Sequence, residues 1–163
     1  MNNKGYTLIE LLTVVVVIGI LSLLIGNTLQ GSIGAGRTEA AAKEMLTDLQ
    51  RARALSIQRS RVHFVTVDIV NNQYQITADT NDNQVFEPGV DADFFTNPKD
   101  LGDQVVWGAG VIQIDTNGIL GSTGTIQLVN VTGNPPDYDC LLLSPTRIKV
   151  GLMNAGTGIC DIK

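Results

Sequence analysis

Leu8–Ile25 reads LIELLTVVVVIGILSLLI and follows Met1-Asn2-Asn3-Lys4-Gly5-Tyr6-Thr7. The run is about long enough to cross a hydrocarbon core of roughly 30 Å, at about 1.5 Å of helix rise per residue. Lys4 is the only charged side chain ahead of it, which places the amino terminus on the cytoplasmic side. An ordinary secretory signal or signal anchor has the same broad pattern. Two features argue against the cleaved version. The basic leader, MNNKG, has only five residues, and no A-x-A-like site follows the apolar run, where Ser22 and Gly26 are the nearest small residues.

Glu10 is out of place in such a run. An ionisable group in a membrane span costs on the order of 2.5–3.5 kcal/mol at full depth, and less near the interface. It needs a cationic partner, which its own helix does not supply. Cleavage before Tyr6 would create an α-amine four residues away, on the same chain or on a neighbouring copy. The short basic leader, Gly5-Tyr6-Thr7-Leu8-Ile9-Glu10 and the apolar run together resemble the type III prepilin signal of type IV pilins and type II secretion pseudopilins. That resemblance implies that a membrane prepilin peptidase cuts between Gly5 and Tyr6 and N-methylates Tyr6. It also implies that Glu10 pairs with the amino terminus of an adjacent subunit during docking. Tyr6 departs from the family pattern, in which phenylalanine is usual.

Gly26, Gly31, Gly34 and Gly36 make the weakest part of the amino-terminal helix, since each costs roughly 1 kcal/mol against alanine. The stretch is read either as a plain linker or as a segment that melts when a subunit leaves the bilayer for a filament. From Arg37 to about Arg61, Ala41, Met45, Leu49 and Ala52 recur at helical spacing, joined by Ala42, Leu46 and Leu55. Lys43, Glu44, Asp48, Arg51 and Arg59 are placed largely elsewhere on the wheel. The arginines at 51, 53, 59 and 61 resemble a nucleic-acid patch, but such a run is more often a solvated face or a set of inter-subunit salt bridges, which is the reading taken.

Past Arg61 the period becomes two. Val62–Val70 alternates as a strand, Asn71-Asn72 offers a turn, and Tyr74, Ile76 and Ala78 continue. Further strands are expected at Val105–Trp107, Val111–Ile114, Thr125–Val131, Tyr138–Leu143 and Arg147–Val150, with turn signals between them. With 17 Gly, 5 Pro and 5% aromatic residues, the composition suits many short strands and turns. The expected class is α+β: a long helix on an antiparallel meander. Its divisions are a leader at 1–5, a membrane and filament-core helix at 6–27, a glycine-rich break and amphipathic helix at 28–61, and a β domain at 62–163. The strand order resembles the GspH/FimT branch of the family. The segment Ser144-Pro145-Thr146-Arg147-Ile148-Lys149-Val150-Gly151 resembles that branch's closing strand, with Thr146 in place of a glycine.

In some FimT-like proteins a related basic segment binds DNA. Arg147 and Lys149 match it here, on one face of a strand by period two. The net charge of −5 argues against attraction of nucleic acid by the whole chain. Cys140 and Cys160 bracket the last strands, and an extracytoplasmic pair is expected to be bonded, against the reading of two independent thiols. Closing that loop contributes about 3 kcal/mol in the chain-entropy model and pins the tail Asn154–Lys163. In the loop from Asp79 to Asp91, Asp79, Asn81, Asn83, Val85 and Glu87 follow the first part of a calcium loop. Gln84 stands where its glycine belongs and Val90 where its last carboxylate belongs, with Asp91 and Asp93 substitutes only in another geometry. Calcium and a solvated Asx-rich turn are the two readings. His63 is the only histidine, so no Cys/His metal site is expected. Without GxSxG, P-loop, HExxH or a Cys–His dyad, a non-enzyme is expected.

The resulting expectation is a structural subunit of a type IV pilus or type II secretion pseudopilus. It is anchored in the inner membrane with its domain in the periplasm, and its partners are other pilin or pseudopilin subunits and the peptidase. A DNA-binding minor pilin and a monomeric membrane-anchored domain are the alternatives.

Overall fold

α1 (Leu8–Arg59) is one unbroken helix of 52 residues. The computed structural model describes residues 7–108, 110–129 and 134–162, with the backbone alone over 23–31. Thr7 caps the start of α1: its hydroxyl accepts from the Glu10 N–H at 3.4 Å. Ser60, at φ 48 in the left-handed region, terminates it. The stretch 26–36 is helical in this structure. Propagation from formed turns on both sides explains how its glycines are tolerated.

The packed half of α1 begins at the buried Gly34, one turn before Thr38. Thr38, Ala42, Met45, Leu49, Ala52 and Ser56 are all fully buried, and their spacing of four, three, four, three and four residues keeps them on one stripe. Ala41 and Leu46 pack at its border. Asp48, read from its type as solvent-facing, lies within this buried side at 6% exposure.

Among the described residues ten strands follow: β1 (His63–Asp68), β2 (Gln73–Ala78), β3 (Ala92–Asp93), β4 (Lys99–Asp100), β5 (Gln104–Val106), β6 (Ile112–Ile114), β7 (Gly124–Val129), β8 (Cys140–Ser144), β9 (Arg147–Asn154) and β10 (Ile159–Ile162). They form two antiparallel sheets rather than one meander. Sheet A has the order β3-β2-β1-β6 with β4 also on β2, and sheet B the order β10-β9-β8-β7-β5. The chain crosses to sheet B at β5, returns to β1 with β6, and crosses again at β7.

β1 stops at Asp68, short of the expected Val70. The Asp68 carboxylate accepts from the Val70 and Asn71 N–H groups at 2.9 and 3.0 Å and from Asn71 Nδ2 at 2.7 Å. An Asx turn thus replaces the strand, leaving Ile69 and Val70 exposed at the hairpin tip. The tail also differs from a free segment, because β10 is a strand paired to β9 from Ile159↔Asn154 to Ile162↔Gly151.

One core joins both sheets to the helix. Met45 and Leu49 meet Val65, Tyr74 and Ile76 of sheet A and Ile126, Leu128, Leu141 and Leu143 of sheet B. Each large apolar side chain so buried contributes roughly 1.5–3 kcal/mol. Beyond that core, the loop after β2 covers the outer face of sheet A, where the Phe86 ring lies 5.8 Å from that of Phe64. Among the described residues α1 is the only helix, and it packs on the core side of sheet B.

Candidate functional site

The amino-terminal motif is the first candidate. Gly5 and Tyr6 lie outside the described residues. Glu10 sits in the first turn of α1 and is exposed. Every residue from Leu8 to Ser22 is exposed, with Leu8 at 83% and Ile20 at 55%. No such apolar run stays bare on a soluble surface, so it marks a contact with a membrane or with other helices. Its hydroxyls are already served within the helix: Thr13 Oγ1 donates to the Glu10 carbonyl at 2.9 Å and Ser22 Oγ to the Ile18 carbonyl at 2.8 Å. Among the described residues no helix is long and apolar enough to cross a membrane.

Arg147 and Lys149 stand on β9, exposed on either side of the buried Ile148. They face outward from sheet B, as period two requires. Register carries the same face across the sheet, since Lys149 lies opposite Leu142, and Leu142 opposite Thr125.

The acidic loop closes on itself. Asp79, fully buried, accepts from the N–H groups of Asp82 and Gln84 at 2.8 and 2.7 Å, and Asp91 accepts from that of Glu87 at 2.8 Å. Glu87 Oε2 accepts from the side-chain amides of Asn81 and Asn83 at 2.7 and 2.8 Å. Gln84, at φ 60, takes the left-handed conformation that the sixth-position glycine of a calcium loop supplies. The oxygens are nevertheless engaged within the loop, and Val85 donates its N–H to Asn83. Among the described residues no three His, Cys, Asp or Glu side chains gather to hold a metal ion. As folded, the donor set does not fit calcium.

Cys140 and Cys160 are bonded, with Cα atoms 6.0 Å apart. The bridge joins β8 to β10 across the intervening β9. Gly151 lies beneath it, opposite Cys140 in one ladder and Ile162 in the other.

Two polar clusters were not anticipated. Asp48 Oδ2 accepts from the Tyr74 hydroxyl and from Lys99 Nζ, each at 2.6 Å, and Lys99 Nζ also donates to Glu44 at 2.6 Å. Burial first, then the Asp48 hydrogen bond and the Asp48 and Glu44 charges, hold the Tyr74 phenol well above its ordinary range. Burial works against the Lys99 charge, but the bonds and charges of Asp48 and Glu44 outweigh it and raise Lys99. In the second cluster, the fully buried His63 shares Nδ1 with Ser56 Oγ at 2.9 Å and the Arg61 carbonyl at 3.1 Å, while Nε2 has no partner among the described residues. Burial lowers the His63 pKa; the bond to the Arg61 carbonyl opposes this, and the Arg59 and Arg61 charges add to it. Both clusters serve packing between α1 and sheet A. The sequence signal for the first was the i, i+4 spacing of Glu44 and Asp48, with Lys99 far away.

The prokaryotic N-terminal methylation motif matches residues 1–26, and the type II transport protein GspH family matches residues 41–146. No curated protein matches the sequence. The fold is similar to the minor pseudopilin EpsH from the Type 2 Secretion System of Vibrio cholerae, with a TM-score of 0.53 at 16% identity, over 71% of this chain and 97% of that one. With most of its length from the packed half of α1 to β8 inside the family match, the chain belongs to the type II transport protein GspH family.

Proposed function

We propose that the chain is a minor pseudopilin, a structural subunit of a type II secretion pseudopilus. It is cut between Gly5 and Tyr6, N-methylated at Tyr6, held in the inner membrane by 8–25 with its domain in the periplasm, and then drawn into the filament. The observation that carries this reading is the pairing of a methylation motif with a GspH domain on one helix whose first turns are bare. The back-bonded Thr13 and Ser22 hydroxyls support it, because an apolar surrounding requires polar groups to be satisfied inside the helix. Glu10, exposed in the first turn, is left to meet the methylated amine of a neighbour.

The test is Glu10→Ala in producing cells, with the mature amino terminus read by mass spectrometry and assembly by cross-linking between α1 helices. Processing and methylation are expected to persist while helix-to-helix cross-links fall about tenfold, the equivalent of losing roughly 1.4 kcal/mol. Undiminished cross-links would instead favour a membrane-anchored monomer or a different docking contact.

A further inference from the structure

Resting on the filament reading above, we infer that a cleft on the outer face of sheet B, lined by Asp139, receives a lysine or arginine side chain of an unlike neighbouring subunit. Val129, the Pro135-Pro136 pair and Met153 wall the cleft, whose volume is about 320 Å³, at the small end of pockets that hold a ligand. Gln127 and Val129 alternate on β7 with the fully buried Ile126 and Leu128, and Met153 shares its side of β9 with Lys149. The cleft therefore opens away from the core, and a partner reaches it without unpacking the domain.

The lining selects the occupant. It is mostly apolar, its polar groups are the Asp139 carboxylate and the Gln127 and Asn134 amides, and no basic side chain belongs to it. Asp139 is fixed through its backbone: its N–H donates to the Gly151 carbonyl at 3.0 Å and its carbonyl accepts from the Leu128 N–H at 2.7 Å. Its Oδ1 accepts from the Met153 N–H at 2.5 Å, while among the described residues Oδ2 has no partner and no cation pairs with the carboxylate. Asp82 and Asp93 lack a cation too, but both stand on the exposed surface. Asp68 lines a smaller cleft, yet its own Asx turn takes up its oxygens. Asp139 is singled out by the apolar walls around its unused oxygen. An anion would be repelled there, and a neutral apolar group would cover the carboxylate without pairing it. A lysine or arginine meets both demands, with its methylene stem against Pro136 and Met153 and its charged head on Oδ2.

The position of the cleft points to a neighbour as the source of that side chain. The Asp137 N–H donates to Glu39 Oε1 at 2.8 Å, which ties the wall at 134–139 to the first packed turns of α1. The cleft thus lies at the end of the domain next to the bare turns, where subunits meet in a filament. One cleft with one guest calls for no second copy of this chain, as a minor subunit requires.

n-Butylguanidinium, a stem with a cationic head, and n-butylurea, its neutral counterpart, test the site on the full-length chain in detergent. Binding is followed by the 13C-methyl signals of the methionines, of which Met153 lines the cleft and Met45 lies in the core. Met153 should shift saturably with the guanidinium while Met45 stays still, and either the change to butylurea or D139N should weaken binding about tenfold. D139N keeps an oxygen for the Met153 N–H, and Ala155→Trp, on the rim, should block the probe with Asp139 intact. Equal binding of butylurea, undiminished binding in D139N, or no saturable Met153 shift would each overturn the inference. In producing cells, a benzophenone side chain at Thr157, exposed in the same turn as Ala155, should capture a lysine- or arginine-bearing peptide of a different subunit, and about tenfold less of it in D139N. Capture of a second copy of this chain, or capture indifferent to D139N, would overturn the inference while helix-to-helix cross-links keep the filament reading standing. Were those helix cross-links absent as well, the filament reading would fall first.

Discussion

Gly151→Ala tests how the β domain is closed. An added Cβ at Gly151 would lie 2.3 Å from the Asp161 carbonyl oxygen, 2.8 Å from the Asp161 carbonyl carbon and 3.0 Å from Cys160 Sγ. Two of those atoms are backbone, so no side-chain rotation relieves the overlap. Ordinary contact needs β10 to retreat by about 1 Å. β10 has two holds on the domain, its ladder to β9 and the bridge from Cys160 to Cys140. If it stays, the overpacking costs about 1–3 kcal/mol. If it moves far enough that the Cys140–Cys160 bond no longer forms, the loop-closure contribution of roughly 3 kcal/mol is lost.

The two routes together predict a loss of about 1–3 kcal/mol, which lowers the melting temperature of a domain this size by roughly 3–10 °C. The measurement is thermal unfolding of the full-length chain in detergent, beside titration of free thiols under native conditions. A third variant decides the mechanism. In a Cys140→Ala/Cys160→Ala background β10 is free to move, so adding Gly151→Ala should cost less than about 1 kcal/mol, a non-additivity expected of groups that share one contact. If Gly151→Ala is tolerated with the bridge intact, or costs as much without the bridge as with it, the strand does not close through this glycine.

Two further outcomes follow from the buried polar clusters. Asp48→Ala strands the Tyr74 hydroxyl and Lys99 together and should cost about 2–4 kcal/mol in urea unfolding, whereas Tyr74→Phe, which removes one neutral donor, should cost about 1 kcal/mol. Equal losses would refute the shared-acceptor arrangement. Because the folded pKa of His63 is depressed, the unfolded chain takes up its proton first as the pH falls below about 6.5, and stability should decline there and be complete above it. His63→Gln should flatten that slope between about pH 6.5 and 5; an unchanged slope would assign the acid sensitivity to other groups.

What could be read from the residues depended on how local each cause was. The stripe at Ala41, Met45, Leu49 and Ala52 lies within one helix, and the structure buries Met45, Leu49 and Ala52 completely. The alternation in β1 and β2 was legible for the same reason, and the cysteines paired as their compartment suggested. Asp48 was misplaced because its reason for being buried stands 51 residues away at Lys99. The two-sheet division rests on β5 meeting β7 and β6 meeting β1, pairings between distant segments that a local period does not encode. β10 follows Gly156-Thr157-Gly158, a weak strand signal; the β9 edge and the disulfide hold it in place.

The same distinction explains α1. Its turns at 8–22 and at 38–56 are both written for burial, yet the chain covers only the second. The first must find its cover elsewhere, in lipid or in neighbouring helices, and both covers demand the same surface: aliphatic outside, hydroxyls bonded within. Glu10 separates them. On the proposed assembly, a carboxylate in the first turn would gain little from lipid and much from an amine on another subunit. The glycines from 26 to 36 fall between the bare and the packed turns of α1, so on the proposed function the helix is intrinsically weakest where its surroundings would change between bilayer and filament.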